Sequence, residues 1–351
     1  MTFLAGDITV SDIGFNVTAY NPTTPWWYGG AGPNQTWMEG FVGVVSSTTA
    51  NLLIQRVSFE GAPGSIYGET NVNNGPLYWG STSGPVTGKF NVVSSSFKQI
   101  ANGLEIWGVL NSRMTIGGAP LDGNVYENCE GGVLSGDADN SVLEDSYNNV
   151  QTVTNAEWAG VVIMQGILHM PQKPTQFIIQ NNTITAIGYY QDGIYLFDNG
   201  VASGTGKRAN LIATNNTIQM SGDELGPAFS AVQLDSTEGV LILNNRITGA
   251  AENGIGSWSG TQSAFVGNNL SQFTADPAGG LGDIYLDPTT TNDLVVCAEP
   301  SDTVVNQGTN NVLIGCQDPA ATAASATATE NAVPAVTRPR PSLWKGGPSP
   351  R

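Results

Sequence analysis

Acidic and aromatic residues recur in this sequence inside one short phrase that opens on a small residue and continues with alternating apolar positions. Its copies are Gly103-Leu-Glu-Ile-Trp107, Gly132-Val-Leu-Ser-Gly136, Gly160-Val-Val-Ile-Met164, Gly193-Ile-Tyr-Leu-Phe197, Ala231-Val-Gln-Leu-Asp235, Gly254-Ile-Gly-Ser-Trp258 and Asp283-Ile-Tyr-Leu-Asp287. If strand alternation turns Ile194 and Leu196 inward, Tyr195 and Phe197 face outward. The same offsets put Glu105, Trp107, Val162, Met164, Gln233, Asp235, Trp258, Tyr285 and Asp287 on one outer face. Sugar rings present apolar C–H faces to aromatic platforms and hydroxyls to carboxylates and amides, so this stripe has the composition of a glycan groove. The competing expectation is that long loops cover the stripe and the rings pack beneath them.

Glycosidic cleavage needs two carboxylates roughly 5–9 Å apart, one as acid and the other as base or nucleophile. Asp198 and Asp235 lie on adjacent copies, about 5–6 Å apart by rung spacing, with Asp192 beside them, and Asp235 and Asp287 lie two copies apart at about 10 Å. Asp198, Asp235 and Asp192 are therefore the candidate catalytic residues. Glu105, Trp107, Tyr195, Phe197, Gln233, Trp258, Tyr285 and Asp287 are the candidate substrate contacts. In a chain with 29 acids, such neighbours also arise by chance.

Other residue types carry less. The sole histidine, His169, stands four residues before Lys173 and could act as a base beside a charge neutraliser, or simply sit in a solvated loop. Asp137 and Asp139 offer oxygen ligands, but the Gly and distal Glu of a calcium loop are absent, so a polar turn is expected. No metal-ligand spacing appears and no cofactor is implied. Sequons occur at Asn16, Asn34, Asn181, Asn215 and Asn269, and the last three fall in repeated turns, where they are expected to be poor acceptors. Cys297 and Cys316 are spaced to staple a terminal cap, while Cys129 reads as a buried thiol.

The elements that must position these residues are strands. Helical periodicity is hard to find, whereas short Val/Ile/Leu runs punctuated by Gly and Asn recur along the chain. A second phrase, a strand followed by a polar turn and a new apolar strand, appears at Ile54-Gln-Arg-Val57-Ser-Phe59, Ile179-Gln-Asn-Asn182-Thr-Ile184 and Leu243-Asn-Asn245-Arg-Ile247. Its turn positions read as 13, 57, 95, 124, 145, 182, 216, 245 and 269, a repeat of variable period. Coils this short bury no core alone, but stacked at ~4.8 Å they pair in parallel and share one. Asn suits such turns because it tolerates the left-handed conformation and can hydrogen-bond up a column.

These phrases resemble the right-handed parallel β-helix proteins of the pectin-lyase-like superfamily, over roughly residues 1–316. The resemblance implies an all-β solenoid at the cell surface or outside the cell, acting on carbohydrate as a lyase, glycoside hydrolase, esterase or epimerase through the outer face of one sheet. The Asn-Thr-Asp, Asp-Asp and Gly-His-Gly set of polygalacturonases and the Arg-rich strand of pectate lyases are missing. Members usually start with a capping helix and earlier coils. Here Ile8 to Ile13 is already a repeat phrase, as expected of a chain lacking its natural beginning. Residues 1–7 also lack the basic and long apolar regions of a secretory signal.

Composition limits the partners. A net charge of −17 and pI near 4.1 argue against nucleic acid and anionic lipid, and no apolar run is long enough to span a membrane. Long insertions are expected at 19–40 and 61–88, projecting as rim loops. The Ala/Thr/Pro-rich stretch 317–351 is expected to hold no packed element. Two functions follow as expectations. One is a protein that binds and cleaves or remodels a neutral or weakly charged polysaccharide; the other is a non-catalytic adhesin-like solenoid.

Overall fold

A computed structural model describes residues 6–16, 37–44, 48–61, 73–80, 86–100, 102–129, 131–136, 138–152, 159–164, 173–189, 191–198, 210–223, 226–276 and 282–319. The expectations for His169, Asp137, Asn34 and the tail after 319 lie outside these residues. Every element named among the described residues is a strand, as short β-branched runs separated by Gly and Asn favour, and these strands pair in parallel. The chain visits three stacks in rotation. Gln176–Gln180 belongs to the first, Thr183–Ile187 to the second and Asp192–Phe197 to the third. The next circuit is Asn210–Thr214, Thr217–Ser221 and Ala228–Asp235, each pairing with its counterpart. The first stack has eleven strands; the other two join through the long strand Arg246–Trp258, which bends from one into the other.

Side chains of equal rank form columns inside. Phe15, Phe59, Phe97 and Tyr126 stack with ring centroids 5.1, 5.2 and 4.6 Å apart, close to the spacing of the strands themselves. In the first stack Ile54, Val92, Ile116, Asp145, Ile179 and Ala213 share one buried column. Asp145 is thus a carboxyl among aliphatic neighbours.

Each turn between the first and second stacks has two parts. A residue with positive φ reverses the chain, as Tyr147, Asn181, Asn215 and Asn244 do, and the next residue is buried. Those buried residues form a ladder. The backbone N–H groups of Asn124, Asn148, Asn182, Asn216 and Asn245 donate to the side-chain oxygens of Asn148, Asn182, Asn216, Asn245 and Asn268, at 2.8–3.0 Å. This corrects two turn positions: the ladder residues are Asn148 and Asn268, not 145 and 269. It also corrects the sequons, because Asn215 and Asn269 are exposed and Asn181 is half-buried, one place away from the buried ladder amides.

Between the second and third stacks several rungs leave no room for a side chain at the turn, although Ala231 and Asp283 fill the same place on two later rungs. A Cβ at Gly103 would lie 2.3 Å from the Tyr126 ring, at Gly160 2.7 Å from Ile184 and at Gly193 2.5 Å from the Ala231 carbonyl oxygen. The Gly that opens the recurrent phrase is therefore fixed by close approach to the core column. The third turn carries a shorter polar ladder, in which Val240, Ser263 and Asp293 donate backbone N–H groups to Ser263 Oγ, Asp293 Oδ1 and Asn311 Oδ1.

The expected rim insertions are partly strands. Trp37–Val44 and Asn73–Gly80 pair with each other, and the latter pairs with Asn102–Trp107, so both extend the third stack. At the far end a Cys297–Cys316 disulfide joins consecutive first-stack turns, and Cys129 is buried and free. Burial pushes the Cys129 thiol up to about 12.

Candidate functional site

The outward positions of the third stack fall into two columns. Glu105, Leu134, Val162, Tyr195, Gln233, Gly256 and Tyr285 are in register on successive strands. Two residues further along run Trp107, Gly136, Met164, Phe197, Asp235 and Trp258, with Asp287 following Leu286 one rung beyond. Trp107 and Met164 are placed by their backbones, and their side chains lie outside the described residues.

The stripe divides into two environments. In its middle, Leu134, Ala159, Val162 and Tyr195 form a second apolar cluster, separate from the core, against which Phe197 packs. Tyr195 is only 5% exposed and Gln233 2%, and Glu105 and Asp235 are also buried. This part of the stripe is a covered packing layer, and the expectation of an open groove along its whole length does not hold here. Toward the C-terminal rungs, Trp258 and Asp287 are half-buried and accessible.

The accessible part is built around a gap. Gly256 interrupts the first column, and a Cβ there would lie 2.2 Å from the Trp258 ring, so the indole folds back over the glycine. The Trp258 ring stacks on Phe229 at 5.2 Å and meets Tyr285 at 5.6 Å with a tilt of 52°. The Tyr285 hydroxyl donates to Gln307 Oε1 at 3.3 Å, and burial raises its pKa above the usual phenol range. Phe229 and Gly256 were not among the sequence candidates. Phe229 precedes the recurrent phrase that opens at Ala231, and its place beside Trp258 depends on the bend there.

The carboxylates have specific partners. Asp192 Oδ1 accepts the Ser230 N–H at 3.0 Å, and the Gln233 amide, oriented with its nitrogen toward Asp192, donates at 2.7 and 3.2 Å. Asn253 donates to Ser230 Oγ, extending this buried network to the next rung. Asp287 accepts from the Thr289 N–H and the Thr289 and Thr290 hydroxyls of its own turn and from the Ser259 N–H of the preceding rung, at 2.8–3.2 Å, and so ties the two turns together. Asp235 Oδ1 accepts the Ser236 hydroxyl at 3.0 Å. Asp198 sits one position past Phe197, which is the register partner of Asp235, and adopts φ 37°. The Asp198 N–H donates to the Asp235 carbonyl at 2.9 Å, so the two residues are neighbours through the backbone, offset by one place along the strands. Among the described residues no three His, Cys, Asp or Glu side chains gather as metal ligands, and no helix is long and apolar enough to cross a membrane.

No protein-family model matches the chain. No curated protein sequence matches it. Among solved structures it is similar to one described as the crystal structure of the Agl-KA catalytic domain, at 14% identity and a TM-score of 0.42, over 89% of this chain. The chain spans 62% of the length of that one.

Proposed function

We propose that this chain is a right-handed parallel β-helix that works outside the cell or at its surface and binds a neutral or weakly charged polysaccharide through its third stack. The observation that carries the reading is the ring group on three successive rungs, Phe229, Trp258 and Tyr285, with the half-buried indole of Trp258 at its centre. A sugar ring would lie on the half-buried indole, and the acidity of the chain suits a glycan without dense negative charge. The Cys297–Cys316 disulfide supports an oxidising compartment.

The reading is one of binding rather than cleavage. The Asp192 carboxylate is held by Ser230 and Gln233, and Asp287 is held by three donors of its own turn and by the Ser259 N–H of the preceding rung, so each has a structural task. Asp198 and Asp235 keep the catalytic alternative open to a direct measurement. Titrating a panel of neutral and weakly acidic polysaccharides, with reducing ends and 235 nm absorbance followed in the same samples, tests both. Saturable binding that Trp258→Ala weakens supports the proposal. Turnover abolished by Asp235→Asn with binding intact would move the protein to the enzymes, and a panel without binding would end the glycan reading.

A further inference from the structure

The circuit that follows Val296 is held by few apolar contacts and by one covalent bond. It leaves the first stack at Val296, crosses the third stack as Val304–Asn306 and returns to the first as Val312–Ile314. Val304 is its one fully buried apolar side chain; Val305 and Leu313 are half-buried, and Val312 and Ile314 are each 52% exposed. The circuit before it gives Leu270, Phe273, Ile284, Leu286 and Val295 to the core. A segment with so little burial opens more readily than the body it rests on. The Cys297–Cys316 disulfide, closing a separation of 19 residues, brackets this circuit from one end to the other.

The same circuit is the layer behind the ring group. Val304–Asn306 pairs with Ile284–Leu286, and Val305 is the register partner of Tyr285. The Ile284 N–H donates to the Thr303 carbonyl at 3.0 Å, and the Gln307 N–H donates to the Leu286 carbonyl at 2.9 Å. Thr303 gives its N–H and its hydroxyl to Asp283 Oδ2 at 2.8 and 2.9 Å. Gln307 Oε1 accepts the hydroxyl of Tyr285, whose ring meets Trp258. Loosening this circuit therefore loosens the far wall of Tyr285.

Cys297 and Cys316 are half-buried rather than enclosed, so a small dithiol can reach their bond, whereas Cys129 is buried and takes no part. One thiolate of the dithiol attacks a cysteine sulfur, forms a mixed disulfide and releases the other cysteine as its thiolate. The second thiol of the reductant then closes it into a cyclic disulfide and frees the first cysteine. Two electrons and two protons pass from the dithiol to Cys297 and Cys316. With the bond gone, the open circuit regains the chain freedom that the closed loop denies it.

We propose that the Cys297–Cys316 disulfide is a redox clasp on the ring group: oxidised, it locks the circuit behind Tyr285, and reduced by a dithiol, it lets that circuit open and weakens glycan binding. Its effect on glycan rests on the role proposed above for Trp258. Its effect on the strand of Tyr285 rests on the pairing and hydrogen bonds alone.

Hydrogen exchange of the full chain with and without dithiothreitol tests this, with alkylation and peptide mass confirming that Cys297 and Cys316 are reduced. Reduction should speed exchange of the Ile284 and Gln307 amides by at least about tenfold, while the amides of Gln176–Gln180 stay protected. Titrated with the polysaccharide panel, the reduced chain should show a Kd about 5- to 10-fold higher than the oxidised one. Cys297→Ser combined with Cys316→Ser should match the reduced chain and ignore dithiothreitol; if that variant fails to fold, reduction of the folded parent gives the reading. Unchanged exchange at Ile284 and Gln307 overturns the proposal. So does a loss of protection that reaches Gln176–Gln180, since the bond would then hold the whole fold, and so does faster exchange with an unchanged Kd. An oxidised chain that binds no polysaccharide ends the glycan reading instead, and exchange at Ile284 and Gln307 still decides whether the clasp governs the strand of Tyr285.

Discussion

Asn148 donates its side-chain amide to the carboxyl of Asp145, three residues before it and fully enclosed in the core. The carboxyl occupies a column position that Ile116 and Ile179 fill on the adjacent rungs. Burial pushes its pKa up to about 7, against the Asn148 hydrogen bond, which favours the ionised form. An acid whose pKa is raised on folding holds its proton more tightly in the folded chain. Stability is therefore highest below the unfolded value near 3.8, falls as pH rises toward about 7, and stays low above it. Asp145→Val should raise stability at pH 8 by on the order of 1–4 kcal/mol, because Asn148 keeps its bond to the Ile116 carbonyl. It should also flatten the profile between pH 5 and pH 8, read by thermal melts at several pH values. A variant less stable than the parent at pH 8 would show that the carboxyl contributes more than it costs.

Asn216 accepts the Asn182 N–H and donates to the Ile179 carbonyl and to Asn245 Oδ1, all inside the turn column. Asn216→Ala leaves the first two groups buried and unpaired, at a cost of about 2–4 kcal/mol. Asn215, immediately before it, is exposed and has φ 55°, so Asn215→Gly should change stability by no more than a few tenths of a kcal/mol. Urea melts of the two variants side by side test the division of labour within the Asn-Asn pair.

Tyr195 and Trp258 occupy the two environments of the third-stack stripe, and their substitutions should separate. Tyr195 is enclosed by Leu134, Ala159 and Val162, so Tyr195→Ala should cost about 3 kcal/mol of stability and leave glycan titrations unchanged. Trp258→Ala should weaken polysaccharide binding by about 1–2 kcal/mol, which a binding isotherm reads as roughly a 5- to 30-fold rise in Kd. Equal effects of both on binding would reopen the covered part of the stripe as a ligand surface.

Much of this arrangement was legible in the sequence, because each rung repeats the same physical problem. The Gly-opened phrase is visible since its small residue meets the core column and its alternation sets the two outward columns. The ladder is visible since Asn recurs at the turns. What misled the reading was chemistry shared by neighbours. Asp145 resembles a turn residue, yet the reversal occurs at Tyr147 and the ladder passes through Asn148. The strands Trp37–Val44 and Asn73–Gly80 hide among Gly, Pro and Asn, and the place of the opening Gly is taken there by Phe41 and Pro76. Burial of the stripe was not legible, because it depends on what packs across the columns and not on the columns themselves. The gap at Gly256 that seats Trp258 looks, in sequence, like one more glycine.

Asp293 carries the ladder at the third turn with a carboxylate where an amide would serve. Its Oδ1 accepts the Ser263 N–H at 2.9 Å, and its own N–H donates to Asn311 Oδ1 at 2.9 Å, so the backbone contacts require an acceptor oxygen and no charge. Burial is the largest influence on its pKa and raises it to about 6, against the Ser263 N–H, which favours the ionised form. The sign matches that of Asp145: the cost of the charge is absent below pH 4, grows toward pH 6 and is constant above. Asn at this position keeps the acceptor and removes the charge. Asp293→Asn should therefore match the parent near pH 4 and exceed it at pH 7 by about 1–3 kcal/mol. Asp293→Ala removes the acceptor as well and should lower stability at both pH values by about 1–3 kcal/mol, since the Ser263 N–H is left without its partner. Melts of both variants at the two pH values distinguish the charge from the hydrogen bond. An Asn variant weaker than the parent at pH 7 would mean that the ladder draws on the negative charge itself.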